Sequence, residues 1–356
     1  MDDTLASLAE TVREAAAAGN ALCIRGGGTK DFYGNPPRGE PLDTRAVRGI
    51  VAYEPSELYL TARAGTPLAE VEAALAEQGQ MLPFEPPRFG DDATIGGCVA
   101  AGLAGPRRAS FGSAFGGVRD FVLGARLLDG RGQLLAFGGT VMKNVAGYDV
   151  ARVLAGSLGI LGVITEVTLK VLPRPPQEVT RRFAMDEAQA LDTLNAWGGQ
   201  PWPISSSAWH DGVLHLRLSG APAAIASACD ALGGEAEADG SGPWEALREQ
   251  RHPFFAGDAP LWRVSVPSTA PPLGLGDEQL VEWGGALRWL RTSRPAAELR
   301  ARAAELGGHA TLFRGGDRSQ GVFTPLPPAL LSIHRRLKAE FDPAGIFNPG
   351  RLVPEL

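Results

Sequence analysis

The strongest constraint on this chain is where its glycines stand. There are 46 in 356 residues, and before position 165 they gather in short clusters that alternate with runs of Val, Ile and Leu rather than forming one flexible tract. Glycine loses more conformational freedom on folding than any other residue. Ordered glycines in this number therefore require turns at positive φ, or a backbone that another group approaches closely. A large, flat, phosphorylated ligand meets that requirement.

The first cluster is the most informative. Ala21–Arg25 reads as a short strand that empties into Gly26-Gly27-Gly28-Thr29-Lys30. Consecutive glycines after a strand let several backbone N–H groups converge on one anion, so this loop can cradle a pyrophosphate without a charged side chain. It lacks the GxxxxGK[ST] spacing of a nucleoside-triphosphate loop. The irregular Asp31–Pro37 that follows is not the helix a GxGxxG dinucleotide fingerprint needs. The second cluster is Ala93-Thr94-Ile95-Gly96-Gly97-Cys98-Val99-Ala100-Ala101-Gly102. The third combines Lys143-Asn144-Val145-Ala146-Gly147-Tyr148-Asp149 with Ala155-Gly156-Ser157-Leu158-Gly159-Ile160-Leu161-Gly162-Val163-Ile164-Thr165-Glu166-Val167.

Around these clusters the chain predicts an opening helix on Leu5, Leu8, Val12 and Ala15, and strands over 47–53 and 58–64. A helix follows with Thr66 as N-cap and Leu68, Val71 and Leu75 on its inner face. Residues 90–117 show little periodicity and read as a cofactor-wrapping loop. A hairpin of strands over 118–128 and 133–137, turning on Asp129-Gly130, comes next, then a helix near 145–154 and a strand over 162–172. Pro173-Arg174-Pro175-Pro176 breaks the chain. Beyond it, strands at 179–183, 204–209, 213–218 and 261–266 alternate with helices at 186–197 and 221–232, an α+β pattern of one sheet with helices on a face; the segment 281–290 and a helix over 295–306 complete it. The rigid Phe341–Gly350 stretch stays ordered only if docked, and is expected to return to the first domain. The division expected is 1–176, 177–310 and 311–356.

Composition narrows the partners. A net charge of −6 with scattered arginines argues against nucleic acid. No apolar run approaches the roughly 20 residues of a bilayer span, and Met1-Asp2-Asp3-Thr4 lacks an export signal, so a cytoplasmic location is expected. Cys23, Cys98 and Cys229 form no CxxC pair, which leaves disulfides, zinc and iron–sulfur ligation unsupported.

The three clusters, in this order, resemble the FAD-binding domain shared by vanillyl-alcohol oxidase, p-cresol methylhydroxylase and the flavin subunits of glycolate oxidase. The resemblance covers about residues 20–175, and the terminal Phe341–Leu352 stretch, with its Asp-Pro-x-x-Ile-Phe-Asn-Pro-Gly run, matches the family's usual ending. Lys143–Asp149 and the short length look most like the smaller FAD-binding, or E-type, subunits of bacterial glycolate oxidase. The fold class implied is α+β: a two-domain FAD-binding fold with a smaller α+β cap domain. The resemblance implies FAD contacts from Arg25, Gly26, Gly27, Gly28, Thr29 and Lys30 around the pyrophosphate, and from Thr94, Ile95, Gly96, Gly97 and Gly102 beside flavin and phosphates. Gly159, Gly162, Val163 and Ile164 would lie at the adenine end, with Asn348 from the terminal stretch. It also implies a 2-hydroxy acid, glycolate foremost, as substrate of a complex with a larger FAD subunit and an iron–sulfur subunit. Membrane contact would be through a partner alone.

Two departures bear on the chemistry. Covalent members attach flavin through a histidine at the first loop, where Thr29 and Lys30 stand here, so dissociable FAD is expected. The His-x-Gly-Asp-Gly-Asn constellation of related 2-hydroxy-acid dehydrogenases has no counterpart beyond a degenerate echo at His309. An accessory subunit without its own turnover is therefore the alternative to a catalytic one; an NADPH-dependent reductase of the same fold lacks a nucleotide fingerprint. No catalytic residue is assigned. Lys30 fits a phosphate contact or a surface position equally. Lys143 is an alternative flavin neighbour, Arg314 an alternative carboxylate fork. The five histidines show no ligand spacing, and the seven tryptophans read as filling the second domain's core.

Overall fold

The computed structural model describes residues 3–109, 116–140, 149–238 and 242–356. The chain opens with α1 (Asp3–Ala18), whose Leu8, Val12 and Ala15 face inward, and turns into β1 (Leu22–Arg25), parallel to β2 (Glu40–Asp43). Two strands, β3 (Ile50–Glu54) and β4 (Tyr59–Arg63), are joined by a 3-10 turn at Pro55–Glu57. Then come α2 (Leu68–Glu77), β5 (Gln80–Met81), α3 (Ile95–Ala101) and α4 (Val118–Phe121), followed by the hairpin of β6 (Val122–Leu128) and β7 (Leu134–Gly138) and by β8 (Val163–Lys170). β3, β4, β8, β6 and β7 make a five-stranded antiparallel sheet in that order. Its apolar face buries Leu60, Leu127, Val167 and Leu169 against Leu68, Val71 and Leu75 of α2 and Ile95 and Val99 of α3. The 3.6-residue spacing of α2 thus meets the two-residue alternation of the strands in one core.

Past β9 (Leu172–Pro173), which pairs with β5, the chain enters a second sheet. It contains β10 (Gln177–Ala184), α5 (Glu187–Gly198), β11 (Ile204–His210), β12 (Val213–Gly220), α6 (Pro222–Leu232) and β13 (Glu235–Ala236). After α7 (Gly242–Arg248) come β14 (Leu261–Ser265), β15 (Gln279–Glu282), β16 (Leu287–Arg291), α8 (Ala296–Glu305) and β17 (His309–Arg314). The eight strands run antiparallel in the order β13-β10-β12-β11-β15-β16-β14-β17. Alternation sorts their side chains. Leu214, Leu216, Leu290 and Leu312 pack under α5, α6 and α8, whereas Trp283, Trp289 and Phe313 turn to the opposite face, where they meet Tyr33 and Leu103 of the first layer. Trp244, Trp262, Trp283 and Trp289 are buried in core as expected, Trp197, Trp202 and Trp209 are partly buried against it, and Trp283 and Trp289 also wall the interface.

Several local expectations need correction. Thr66 does not cap α2: its hydroxyl donates to the Arg63 carbonyl at 2.7 Å, and Pro67 occupies the cap position. Residues 90–117 are not all loop, because Thr94 caps α3 there by accepting from the Gly97 N–H at 3.2 Å. Small residues conceal this helix, since Gly96, Gly97, Ala100 and Ala101 give it almost no hydrophobic period. Val118–Phe121 is helical before β6 begins. The segment 281–290 joins the sheet as expected, as parts of two strands around a 3-10 corner at Trp283–Gly285. The helix expected over 145–154 is described only as a 3-10 turn at Ala151–Leu154; 141–148 lie outside the described residues, Lys143 and Tyr148 among them. The expected boundary at 310 falls inside β17.

The chain then re-enters the first layer through α9 (Pro328–Phe341). Beyond α9, Leu22 N–H donates to the Ile346 carbonyl at 2.7 Å and Asn348 N–H to the Leu22 carbonyl at 2.9 Å, so the terminal stretch lies alongside β1. Its anchor is buried Lys338. The ammonium donates at 2.7 Å to the Ile160 and Phe347 carbonyls and to Asp342 Oδ2, while Asp342 also accepts from the Ile346 and Phe347 N–H groups. Removing one member of a buried ion pair costs about 3–5 kcal/mol. Lys338→Met is expected to lose a stability of that order in a denaturant titration, with the C-terminal segment becoming cleavable by protease.

Candidate cofactor site

β1 ends at Arg25, and the glycine loop turns away from the strand beneath the segment that leads into α3. A Cβ on Gly27 would stand 1.5 Å from the Asp92 carbonyl oxygen, and one on Gly26 would stand 2.4 Å from Thr94 Oγ1. The first two glycine clusters are therefore in contact, and only glycine permits that approach. Among the described residues the N–H groups of Gly26, Gly27 and Gly28 meet no protein acceptor. Successive N–H groups left free at a strand end form an anion-binding concavity.

These N–H groups open on a cleft whose empty space, with the open solvent at its mouth, is about 770 Å³. Arg25, Gly26, Gly27, Gly28, Thr29 and Lys30 line it from the first cluster, Thr94, Gly96 and Gly97 from the second, and Gly159, Gly162, Ile164 and Asn348 from the third and the terminal strap. Three expected residues stay outside. Ile95 and Val163 are fully buried in the cores behind, and Gly102 ends α3 at φ +64°. Thr44, Ala64 and Arg351, which no motif singled out, complete the wall together with Ala100 of the second cluster and Leu158 of the third. Ala64 accepts the Gly96 N–H at 2.8 Å, and Leu158 donates to the Ala100 carbonyl at 2.9 Å, so each is fixed by backbone bonding that sequence spacing does not display.

Asn348 holds the cleft together. Its Oδ1 accepts from the Ile24 N–H at 2.7 Å and its Nδ2 donates to the Leu158 carbonyl at 2.6 Å, joining β1, the third cluster and the terminal strap through one side chain. Charge favours an anion. Arg25 is paired with Asp31 at 2.7 Å, but among the described residues Lys30 and Arg351 reach only neutral acceptors: Lys30 donates to the Arg88 carbonyl at 3.2 Å, and Arg351 to the backbone carbonyls of Asp31 and Asn35. Burial pushes the Lys30 ammonium below its usual range, a cost that a phosphate at the glycine loop would offset. Lys30 is thus half-buried in the cleft wall and not at the open surface. Cys98 lies behind the cleft, and burial pushes its thiol up to about 12, so it is unreactive.

The other candidates are occupied or apart. Arg314 donates to Gln250 Oε1 at 2.8 Å and stacks over Phe32. His210, His215 and His252 line one pocket despite their sequence spacing, yet among the described residues no group of His, Cys, Asp and Glu is arranged to hold a metal.

A cleft walled by three glycine clusters, floored by free N–H groups and rimmed by unpaired cations fits a dinucleotide diphosphate, and places the chain in the class of FAD-binding proteins. Known families agree: residues 3–150 match the FAD binding domain, and residues 315–352 match the C-terminal domain of FAD linked oxidases. The chain is 49% identical to glycolate oxidase subunit GlcE of Escherichia coli K12 over 98% of its own length and 97% of that protein's. It belongs to the family of FAD-linked oxidoreductase subunits to which that protein belongs, and its cofactor is FAD. Glycolate oxidase subunit GlcD of Bacillus subtilis is 31% identical over 44% of this chain and 33% of its own length. Among solved structures, an alkyldihydroxyacetonephosphate synthase superposes over 97% of this chain and 75% of its own with a TM-score of 0.66 at 16% identity, a likeness of fold. No described helix is long and apolar enough to cross a membrane.

Proposed function

We propose that this chain is the smaller FAD subunit of a 2-hydroxy-acid oxidoreductase, glycolate oxidase foremost, and that it binds FAD without a covalent bond. The end-to-end identity with the Escherichia coli glycolate oxidase subunit carries the reading. The cleft supports it, because Thr29 and Lys30 stand at the loop and none of the five histidines, all among the described residues, lines the wall. Bound there, FAD supplies a two-electron acceptor. The chain's own residues supply position and charge: Gly26–Gly28 N–H groups and Thr29 hold the diphosphate, Lys30 and Arg351 balance its charge, and Thr94 and Gly97 stand beside it. Residues 1–176 form the FAD-binding domain, the second sheet through Arg314 forms the cap, and the remainder is the strap that closes the cleft behind β1. A larger FAD subunit and an iron–sulfur subunit complete the complex, in the cytoplasm, with any membrane contact made through them.

A histidine-free wall also favours a narrower role, in which this subunit's flavin relays electrons while the larger subunit oxidises the substrate. One experiment separates the two. The purified chain is precipitated with acid, its supernatant scanned for released FAD, and the intact protein mixed with glycolate without air. Free FAD and bleaching support a catalytic subunit; free FAD without bleaching supports the relay; absence of FAD after reconstitution sinks the proposal.

A further inference from the structure

Two non-glycine residues in the wall of the cofactor cleft have left-handed backbones, Leu158 at φ +51° and Asn348 at φ +42°. L residues disfavour that region, and asparagine tolerates it far better than leucine does. Leu158 therefore needs restraint. It is held from two sides: its N–H donates to the Ala100 carbonyl of α3 at 2.9 Å, and its carbonyl accepts from Asn348 Nδ2 at 2.6 Å. The Gly156 N–H, in the same turn, donates to the Val99 carbonyl of α3 at 3.0 Å.

Asn348 is itself firmly placed. The residue is 6% exposed, its N–H donates to the Leu22 carbonyl at 2.9 Å, and its Oδ1 accepts from the Ile24 N–H at 2.7 Å. One amide thus spans from β1, which delivers the glycine loop, to the turn that carries Gly159. The fit there has no slack, since a Cβ on Gly159, at φ +75°, would stand 2.7 Å from Asn348 Nδ2. Because its oxygen and its nitrogen both bond backbone, the Asn348 amide sets where the walls of the cleft stand relative to one another.

That spacing bears on only part of a flavin nucleotide. The N–H groups of Gly26, Gly27 and Gly28 suit the phosphate of FMN and of FAD alike, because both carry one at the same point of the ribityl chain. Only FAD continues past it, through a second phosphate to a ribose and adenine, and so needs a further wall at a set distance from the loop. Leu158, Gly159, Gly162 and Ile164 form such a wall.

We propose that Asn348 is a positioning residue that makes this cleft select the flavin dinucleotide over the mononucleotide, by holding the Leu158–Gly159 turn at a fixed distance from the glycine loop. The inference rests on the reading of the cleft as the FAD site. Without the Asn348 amide, Leu158 relaxes toward an ordinary backbone and takes Gly159 with it. Binding must then restore the turn, and affinity falls in proportion to the fraction of molecules in which it is formed. The loss falls on the adenosine half of FAD alone.

The test uses the full chain freed of flavin, titrated by calorimetry with FAD, with FMN and with ADP, which carries the diphosphate and adenosine of FAD without the flavin. Glycine adopts φ +42° freely, so Asn348→Gly removes the amide without adding backbone strain. In that variant FAD and ADP are expected to bind about 30-fold more weakly, the size of effect that follows from losing a buried hydrogen-bond partner, while FMN binds as it does to the wild type. Asn348→Asp supplies a second readout. Its protonated carboxyl can make both bonds of the amide, whereas the ionised form repels the Leu158 carbonyl, and burial raises the pH at which it ionises. Its FAD-to-FMN affinity ratio, relative to the wild type at the same pH, should therefore recover between about pH 8 and about pH 5.

An unchanged FAD-to-FMN ratio in Asn348→Gly, or an equal loss of FMN, overturns the inference, as does a ratio in Asn348→Asp that ignores pH. Thermal melts of the flavin-free chain show whether each variant is folded. If Asn348→Gly is not, Asn348→Asp compared with itself at the two pH values decides the matter. Failure of the wild type to bind FAD removes the reading of the cleft; FAD binding with an unmoved ratio removes only the role of Asn348.

Discussion

Gly27→Ala is expected to abolish FAD binding. The new methyl group would lie 1.5 Å from the Asp92 carbonyl oxygen, a backbone atom that no rotamer change can move. The loop must lift away from the segment leading to Thr94, and the N–H groups of Gly26, Gly27 and Gly28 then no longer converge. An affinity loss of at least about 100-fold follows from losing two or more charge-assisted bonds to a phosphate. Titration of the apoprotein with FAD, followed by flavin fluorescence, measures it directly. A thermal melt supplies the second readout: ligand at a hundred times its Kd stabilises a folded protein by about 2.7 kcal/mol, and this gain disappears in the variant. Gly139→Ala is the control, because a Cβ there meets nothing within 4 Å. That variant should bind FAD as the wild type does.

The second large effect is expected at Glu85, which ties the first layer to the second sheet. Its carboxylate accepts from Arg217 on β12 at 2.9 Å, and from the Arg107 backbone N–H and side-chain Nε at 3.0 and 3.2 Å. Arg107 also reaches Glu178, at the start of β10. Both arginine side chains are nearly fully buried, so Glu85→Ala leaves the Arg217 guanidinium without its carboxylate and Arg107 with Glu178 in place of two partners. A loss of about 3–5 kcal/mol is expected in denaturant titration. The pH dependence carries the same signature. Burial alone would raise the Glu85 carboxyl, but Arg217 and Arg107 outweigh it and bring it down to about 2. A carboxyl lowered on folding contributes stability that is fully present above its unfolded range near 4.5 and is lost as pH falls toward 2. That contribution is at most about 3 kcal/mol. The wild type should therefore lose its advantage over Glu85→Gln between pH 4.5 and 2, with the two converging at the acid end.

Glu85 also shows why part of the molecule is unreadable from sequence. Nothing within ten residues of it marks a network, since Arg217 stands 132 positions away and Arg107 stands 22 away. Ion pairs across layers depend on how the layers dock, and local pattern carries no trace of that. The same holds for Thr44, Ala64 and Arg351 in the cleft wall, which are ordinary residues brought in by the strands and turns around them. α3 was hidden for a different reason: its sequence is nearly all small residues, so neither period nor propensity marks a helix, and its identity rests on the Thr94 cap and on packing against β4 and β8. Thr66 misled because a hydroxyl before Pro67 has the chemistry of a cap, while the Arg63 carbonyl competes for it within the preceding turn.

What the sequence determined by itself was the set of backbone demands. Gly26-Gly27-Gly28 after a strand, the Thr94–Gly97 segment and the Gly159–Gly162 turns each specify a local conformation that side chains would forbid, and such demands are encoded where they occur. The paired strands and amphipathic helices followed from alternation and helical spacing for the same local reason. The tertiary structure alone decided that Asn348 should close the cleft from the far end of the chain, and that its amide should tie the left-handed turn at Leu158 to β1. Charge balance, burial and convergence belong to the assembled layers, because the low-dielectric surroundings that give a guanidinium or a carboxyl its chemistry exist only after distant segments have packed.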